Sequence, residues 1–439
     1  MNDDPPELAT KSTPYWWEAA PLSALPQAAP PASVDVLVVG AGYAGLAAAL
    51  VLARAGRSVL VLDRQHPGEG ASTRNGGITS GNIRPPLAEL ERKFGRERAQ
   101  GIVAEGKAAR EDLRRFIETE GIDCDYALVG RFSGAMTAAE YEAGAREADR
   151  LARTLDIESY AVPPAEQHKY IGTDFYRGGN VRMDIGGLHP GKFHAGLLKA
   201  ALAAGALVRD RSAVLGIARR DGAFDVRSDA GTIRAGQVLV CTNGYTNGFD
   251  PWLRRRVVPV RSRIVATEPL APEVMDTLMP SRMMMSDGRE LSYYYRPSPD
   301  GSRILFGGRD GTISGDPSWP TAHLRTELAR IFPGLREVRL SHSWFGYVAM
   351  HRDMIPRIFT RDGVLYATGF CGSGVVWARW LGSKAAAQLL GDREAGRTAF
   401  DFRPPRSIPF FNGTPWFMPA VYAALEFKDR RLMKGRGPA

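Results

Sequence analysis

Residues 40–77 hold the densest set of groups able to do chemistry. The apolar run Ser33-Val34-Asp35-Val36-Leu37-Val38-Val39 leads into Gly40-Ala41-Gly42-Tyr43-Ala44-Gly45, and that into a stretch rich in Ala and Leu. Strand, G-x-G-x-x-G and helix in this order make a dinucleotide site. Gly40 makes the tight turn, Gly42 lets backbone approach a pyrophosphate, and Gly45 packs the helix on the sheet. The helix start at Tyr43 and Ala44 aims bare N–H groups and a partial positive charge at the phosphates. A second apolar run, Ser58-Val59-Leu60-Val61-Leu62, ends at Asp63-Arg64, with Asp63 eighteen residues past Gly45. An acidic side chain there accepts the ribose hydroxyls of an adenosine half. Gly70-Ala71-Ser72-Thr73-Arg74-Asn75-Gly76-Gly77 follows almost at once. Such small residues, with one Arg and one Asn, suit a backbone that lies against a flat ring and a second phosphate. Ser72, Arg74, Asn75, Gly76 and Gly77 are therefore cofactor candidates, and the stretch favours a flavin over a nicotinamide dinucleotide.

These two motifs, together with the aromatic lead Tyr15-Trp16-Trp17, carry a resemblance. The sequence resembles the glycine oxidase and D-amino acid oxidase family of FAD enzymes, and within it the gamma-glutamylputrescine oxidase-like group, over nearly the whole chain. The resemblance implies bound FAD and returns the chain to it at Val214 and at the turn Thr242-Asn243-Gly244-Tyr245. It also aligns Phe370-Cys371-Gly372-Ser373-Gly374-Val375 with the family's G-F-S-G-H-G segment. Backbone N–H groups at Gly372, Ser373, Gly374 and Val375 then face the pyrimidine edge of the flavin, where a helix N-terminus stabilises negative charge without a side chain. Cys371 replaces the family's Ser and Ser373 its His, so no proton-handling role carries over, and Cys371 reads as a small packing residue. Gly346 stands where a relative bonds flavin through Cys, so FAD is expected to be non-covalent. Leu305 stands where the same relative has an oxygen-activating Lys, which leaves oxygen and other electron acceptors both open.

The reaction implied is oxidation of a C–N bond in a small primary or secondary amine or amino acid, one carrying an anionic group. Hydride passes to flavin N5, and the imine hydrolyses in water. His351 could take a proton from the amine and Arg352 hold a carboxylate, or the pair could bind backbone or cofactor. Arg296 and Arg309, on strands expected to roof the pocket, are further substrate candidates. Of Tyr293, Tyr294 and Tyr295, alternation lets only some face the pocket. Two other readings stay open: a dehydrogenase of the same fold that passes electrons to a quinone or carrier protein, and a non-catalytic flavoprotein.

These groups need elements to hold them. The order of patterns predicts an α/β fold, an FAD-binding Rossmann-like domain (doubly wound, glutathione-reductase-like) with an inserted antiparallel-sheet substrate domain. Residues 1–32 read as an extended lead, because Pro21, Pro26, Pro30 and Pro31 break any long element. Residues 33–85, 140–250 and 360–400 are assigned to the FAD-binding domain. Residues 86–139 and 251–359 go to the substrate domain, and 401–439 to a tail with a basic helix. Residues 87–120 and 139–155 read as helices, and His189 as a local cap at a helix start. Period-two alternation around Ser292–Pro297 and Arg303–Phe306 predicts the covering sheet.

Bulk properties exclude several classes. A chain of 439 residues, 44% apolar and 24% charged, fits a globular protein of two joined domains. No apolar run is long enough to span a membrane, and the acidic, Pro-rich start lacks signal-peptide order, so a cytoplasmic protein is expected. A docked C-terminal helix is expected rather than a membrane contact. Three widely spaced cysteines argue against a disulfide framework, and no metal site is expected. The net charge of +9 is diffuse, without the aromatic-basic interleaving of a nucleic-acid binder. It helps attract anionic substrates.

Overall fold

Strand Ser33–Val39 is paired on both sides by parallel strands, Val59–Leu62 and Gly231–Val240. Its side chains are buried on both faces beyond Val36, as a central parallel strand requires. The computed structural model describes residues 10–434 apart from 23, 27, 28 and 311–316. Across the first sheet the order is Arg357–Arg361, Val364–Thr368, Gly231–Val240, Ser33–Val39, Val59–Leu62 and Leu207–Arg209. An antiparallel pair, Val214–Arg220 and Ala223–Ser228, extends from Gly231–Val240. Helices Tyr43–Arg54, Arg96–Thr119, Pro190–Ala203 and Gly374–Leu389 bury one face of this sheet in a common apolar core. His189 caps the third of them, its Nδ1 accepting from the Lys192 N–H at 3.1 Å.

The second sheet has eight strands, in the order Leu340–Met350, Val258–Thr267, Ile304–Arg309, Tyr294–Pro297, Met284–Asp287, Arg131–Gly134, Gly179–Arg182 and Ser159–Val162. All its pairings are antiparallel except that of Met284–Asp287 with Arg131–Gly134. This cap sheet packs Phe132, Val181, Met285, Tyr295 and Phe306 into a separate core. Its alternate residues Ser133, Asn180, Ser286 and Tyr294 turn the other way.

Strand pairing moves two boundaries. Residues 140–182 were assigned to the FAD-binding domain, yet strands Ser159–Val162 and Gly179–Arg182 belong to the cap sheet. Helix Arg96–Thr119, assigned to the substrate domain, packs in the core of the parallel sheet. The cause is shared: local composition marks a helix or a strand but does not say which sheet it joins or covers. The C-terminal helix Met418–Lys434 docks on the cap, where Asp429 accepts the N–H groups of Glu290 and Leu291 at 2.8 and 3.0 Å.

The N-terminal lead is built into the molecule rather than trailing from it. Lys11 bridges to His342 beside strand Leu340–Met350. Trp16 is fully buried and donates its indole N–H to Asn75 O at 2.8 Å, and Trp17 donates to Thr73 Oγ1 at 2.9 Å. The lead thus pins the Gly70–Gly77 loop against the edge of the cap.

Candidate functional site

A cavity of about 710 Å³ lies between the carboxyl ends of the parallel strands and the inner face of the cap sheet. That is where open α/β sheets bind ligands. Gly40, Gly42, Tyr43, Ala44, Asp63, Arg64, Ser72, Arg74, Asn75, Gly76, Gly77, Val214, Thr242, Gly372, Ser373, Gly374 and Val375 all line it. Gly45 does not. Its role is packing, since a Cβ there would fall onto the carbonyl oxygen of Gly40.

The lining fits a flavin dinucleotide at three places. At the first, Gly42 and the start of helix Tyr43–Arg54 present backbone, and a Cβ on Gly42 would come within 2.8 Å of Ser72 Oγ. At the second, Asp63 ends its strand facing the cavity. Its Oδ2 accepts the Ala41 N–H at 2.7 Å and its Oδ1 the Gln65 N–H at 2.9 Å, which fixes the carboxylate and leaves each oxygen a further lone pair. Burial pushes its pKa upward. At the third, Gly372 and Gly374 open the start of helix Gly374–Leu389, and among the described residues beyond its chain neighbours only Arg309 Nη2 lies within 4 Å of a Cβ built on Gly372. Asp63→Ala is expected to weaken FAD retention roughly tenfold to a hundredfold, the worth of a charged hydrogen bond. Unchanged affinity in a flavin-fluorescence titration would remove Asp63 from the site.

The loop between these places is held by its own side chains. Asn75 Oδ1 accepts the Gly77 N–H at 2.8 Å, and its Nδ2 donates to Ser72 O at 2.8 Å. Arg74 donates to Glu69 O at 2.7 Å and to Phe345 O at 3.2 Å. Cys371 adopts φ 51°, and its thiol donates to Gly369 O at 3.0 Å. Burial pushes that thiol up to about 12, so it is protonated at neutral pH. Cys371→Ser should therefore retain most activity. Gly372→Val should lose most of it, because Gly372 sits at φ +103° and a branched side chain is strained there. A dead Cys371→Ser protein that still holds FAD would assign the thiol a chemical role.

Three of the four expected catalytic residues lie elsewhere. His351 is buried outside the cavity: its Nε2 bonds Ile355 O at 2.8 Å and its Nδ1 accepts the Asp353 N–H at 3.3 Å. Burial pulls it down to about 4, and with both nitrogens engaged it has no lone pair for a substrate proton. Its ring instead packs beneath Gly369. Arg352 is exposed in the turn after Met350 and does not line the cavity. Arg296 is buried under the loop, donating to Leu188 O at 2.8 Å and Gly77 O at 3.4 Å. It braces the loop from behind. The N-terminal lead explains its position: Trp16 covers the row of the cap sheet that holds Arg296 and its register partner Leu305. Leu305 is buried there with Trp344.

Arg309 does line the cavity, and sequence reasoning missed its neighbour. Arg84 donates from Nε to Cys371 O at 3.4 Å and faces the same space. The surrounding protein and then the like charge of Arg309 pull its guanidinium down to about 10. Neither Arg forms an ion pair among the described residues. The available signal was position: Arg84 lies between the glycine-rich loop and the next helix, Leu87–Phe94. Of the three tyrosines, Tyr293 and Tyr294 line the cavity and Tyr295 is buried in the cap core. Tyr294 pairs its hydroxyl with Ser262 Oγ at 3.1 Å. Also missed were Arg131 and Glu140, which line the far end.

Comparison with known proteins agrees with this architecture. The profile of the family described as DAO, FAD dependent oxidoreductase, matches residues 35–388. A probable oxidoreductase OrdL of Rhizobium meliloti is 32% identical over 88% of this chain and 89% of its own length. The gamma-glutamylputrescine oxidoreductase of Escherichia coli is 30% identical over 82% of this chain and 84% of its own. Among solved structures, glycine oxidase from Geobacillus kaustophilus superposes with a TM-score of 0.68 at 21% identity, covering 86% of this chain and 100% of that one.

Proposed function

We propose, from the premise that this chain belongs to the DAO family of FAD-dependent oxidoreductases, that it oxidises a C–N bond in an amine or amino acid bearing an anionic group. The observation that carries the reading is the joining of a dinucleotide cradle to a polar, cap-covered space in one cavity. FAD, when bound, supplies the hydride acceptor. The chain's own residues do the rest. Gly42, Ser72 and the start of helix Tyr43–Arg54 bind the diphosphate, and Asp63 binds a ribose. Arg296, Trp16 and Trp17 hold the Gly70–Gly77 loop from behind. Tyr294 and the cap sheet exclude water above the reacting space.

Arg84 bonds the Cys371 carbonyl, and Arg309 Nη2 lies 3.5 Å from where a Cβ on Gly372 would stand. With the helix N-terminus there, they make one end of the cavity strongly positive, which favours negative charge developing at that end. No His or carboxylate base is needed if the substrate binds as the neutral amine.

The cofactor is held without a covalent bond. Acid precipitation should release the flavin into the supernatant, and yellow colour staying with the pellet would contradict this. Turnover tests the activity itself. Purified holoprotein is given a panel of amines and amino acids, gamma-glutamylputrescine and glycine among them, in air and again with an artificial electron acceptor. A carbonyl product is expected, and peroxide in air separates oxidase from dehydrogenase.

A further inference from the structure

The cavity is longer than the reacting end of a small amine requires. From Arg309 it follows the inner face of the cap sheet across strands Tyr294–Pro297, Met284–Asp287 and Arg131–Gly134. At the spacing of neighbouring strands that is about 14 Å. Ser286 and Ser133 stand opposite each other in this row, their hydroxyls 3.1 Å apart, and Asn180 is the next partner in register. Ala143 and Gly144 of helix Ala138–Leu155 form the outer wall, where small side chains leave room.

Two opposite charges flank this polar row, and neither has a salt-bridge partner among the described residues. Glu140 helps to fix its helix start: its side chain accepts the N–H of Met136, the residue before the N-cap Thr137, at 2.7 Å, while its own N–H donates to Thr137 Oγ1 at 3.2 Å. Burial raises its pKa, and the carboxylates of Asp287 and Asp429 raise it further. A carboxylate so placed gains from a cation. On the other side Arg131 has a buried Nε without a hydrogen-bond partner. Asp184, the acid in its field, is already paired with Arg110 and Arg182. Arg131 and Glu140 line the same cavity without forming an ion pair with each other. Because both line one cavity, a single ligand carrying both charges would satisfy the two together.

We propose that this far lobe is a subsite for an α-amino-acid head group, its carboxylate on Arg131, its ammonium on Glu140, and Ser133, Ser286 and Asn180 bonding the polar atoms between. The substrate is then an extended amine with a zwitterionic tail. This deepens the amine-oxidising reading and rests on it.

The test compares gamma-glutamylputrescine with N-acetylputrescine, which keeps the reactive amine and lacks the head. The wild-type holoprotein should favour the first by tenfold or more in kcat/KM. Glu140→Gln, which preserves the helix cap, and Arg131→Gln should each remove most of that preference, through KM. Equal use of the two amines by the wild type, or a preference unmoved in both variants, overturns the proposal. A second readout needs no turnover. The γ-glutamyl amide of butylamine, which has the head but no terminal amine, should bind the wild type by calorimetry and bind Glu140→Gln at least tenfold more weakly. If it binds so while no amine is oxidised, the subsite stands and the amine-oxidising reading falls. If amines are oxidised but this amide does not bind, the subsite falls alone.

Discussion

Gly42→Val should yield a folded but colourless protein. Its Cβ would come within 2.8 Å of Ser72 Oγ, and the rest of the side chain would fill the space where backbone must meet a diphosphate. Gly42 itself sits at φ −84°, so the valine strains no backbone and the fold should survive. FAD affinity should fall by more than about a hundredfold, since the phosphates lose the helix-start N–H groups and each charged hydrogen bond contributes about 1.5–3 kcal/mol. The measurement is the ratio of flavin to protein absorbance after purification, with circular dichroism to verify folding. A folded variant that is yellow at wild-type stoichiometry would mean the cofactor lies elsewhere.

Arg309→Met should slow the reductive half-reaction. The substitution keeps most of the side-chain volume and removes a cation that lies beside Gly372 and has no carboxylate partner among the described residues. If that charge supports electron acceptance at the Cys371–Gly374 turn, the limiting rate of anaerobic flavin bleaching should fall roughly tenfold to a hundredfold, about 1.4 to 3 kcal/mol of barrier. The amine concentration giving half that rate should hardly change. Two other jobs for Arg309 give different signatures. A substrate clamp would raise the half-saturating concentration and spare the limiting rate. An oxygen-activating charge would leave anaerobic bleaching intact and slow only reoxidation in air. Either pattern would contradict the role proposed for it.

The part of the cavity where we place the cofactor was legible in the sequence because its lining depends on local backbone. Gly40, Gly42 and Asp63 line it where they stand in the chain, and Gly45 packs beside Gly40. The glycine-rich loop and the Cys371–Gly374 turn were readable for the same reason. The cap half was not. Arg296 and Arg309 lie on adjacent strands with cavity-facing periodicity, yet only Arg309 reaches the space. What separates them is Trp16, some 280 residues away in sequence from Arg296, which covers one row of the sheet. His351 and Arg352 sit one residue apart beyond the strand end at Met350, where a turn buries one beneath Gly369 and exposes the other. Strand periodicity carries no information past a strand's end. Arg84, Arg131 and Glu140 went unseen because their significance is the lack of a counter-ion among the described residues, which only the folded arrangement reveals.

The central claim is that one cavity joins a flavin to an amine. Purified holoprotein mixed with an amine under anaerobic conditions, and followed by visible absorbance, tests it most directly. The account predicts loss of the oxidised flavin band with saturating dependence on amine, one amine consumed per flavin bleached, and recovery of the band when an electron acceptor is admitted. A flavin that stays oxidised with every amine and amino acid offered, in a protein that holds FAD at full stoichiometry, would contradict it.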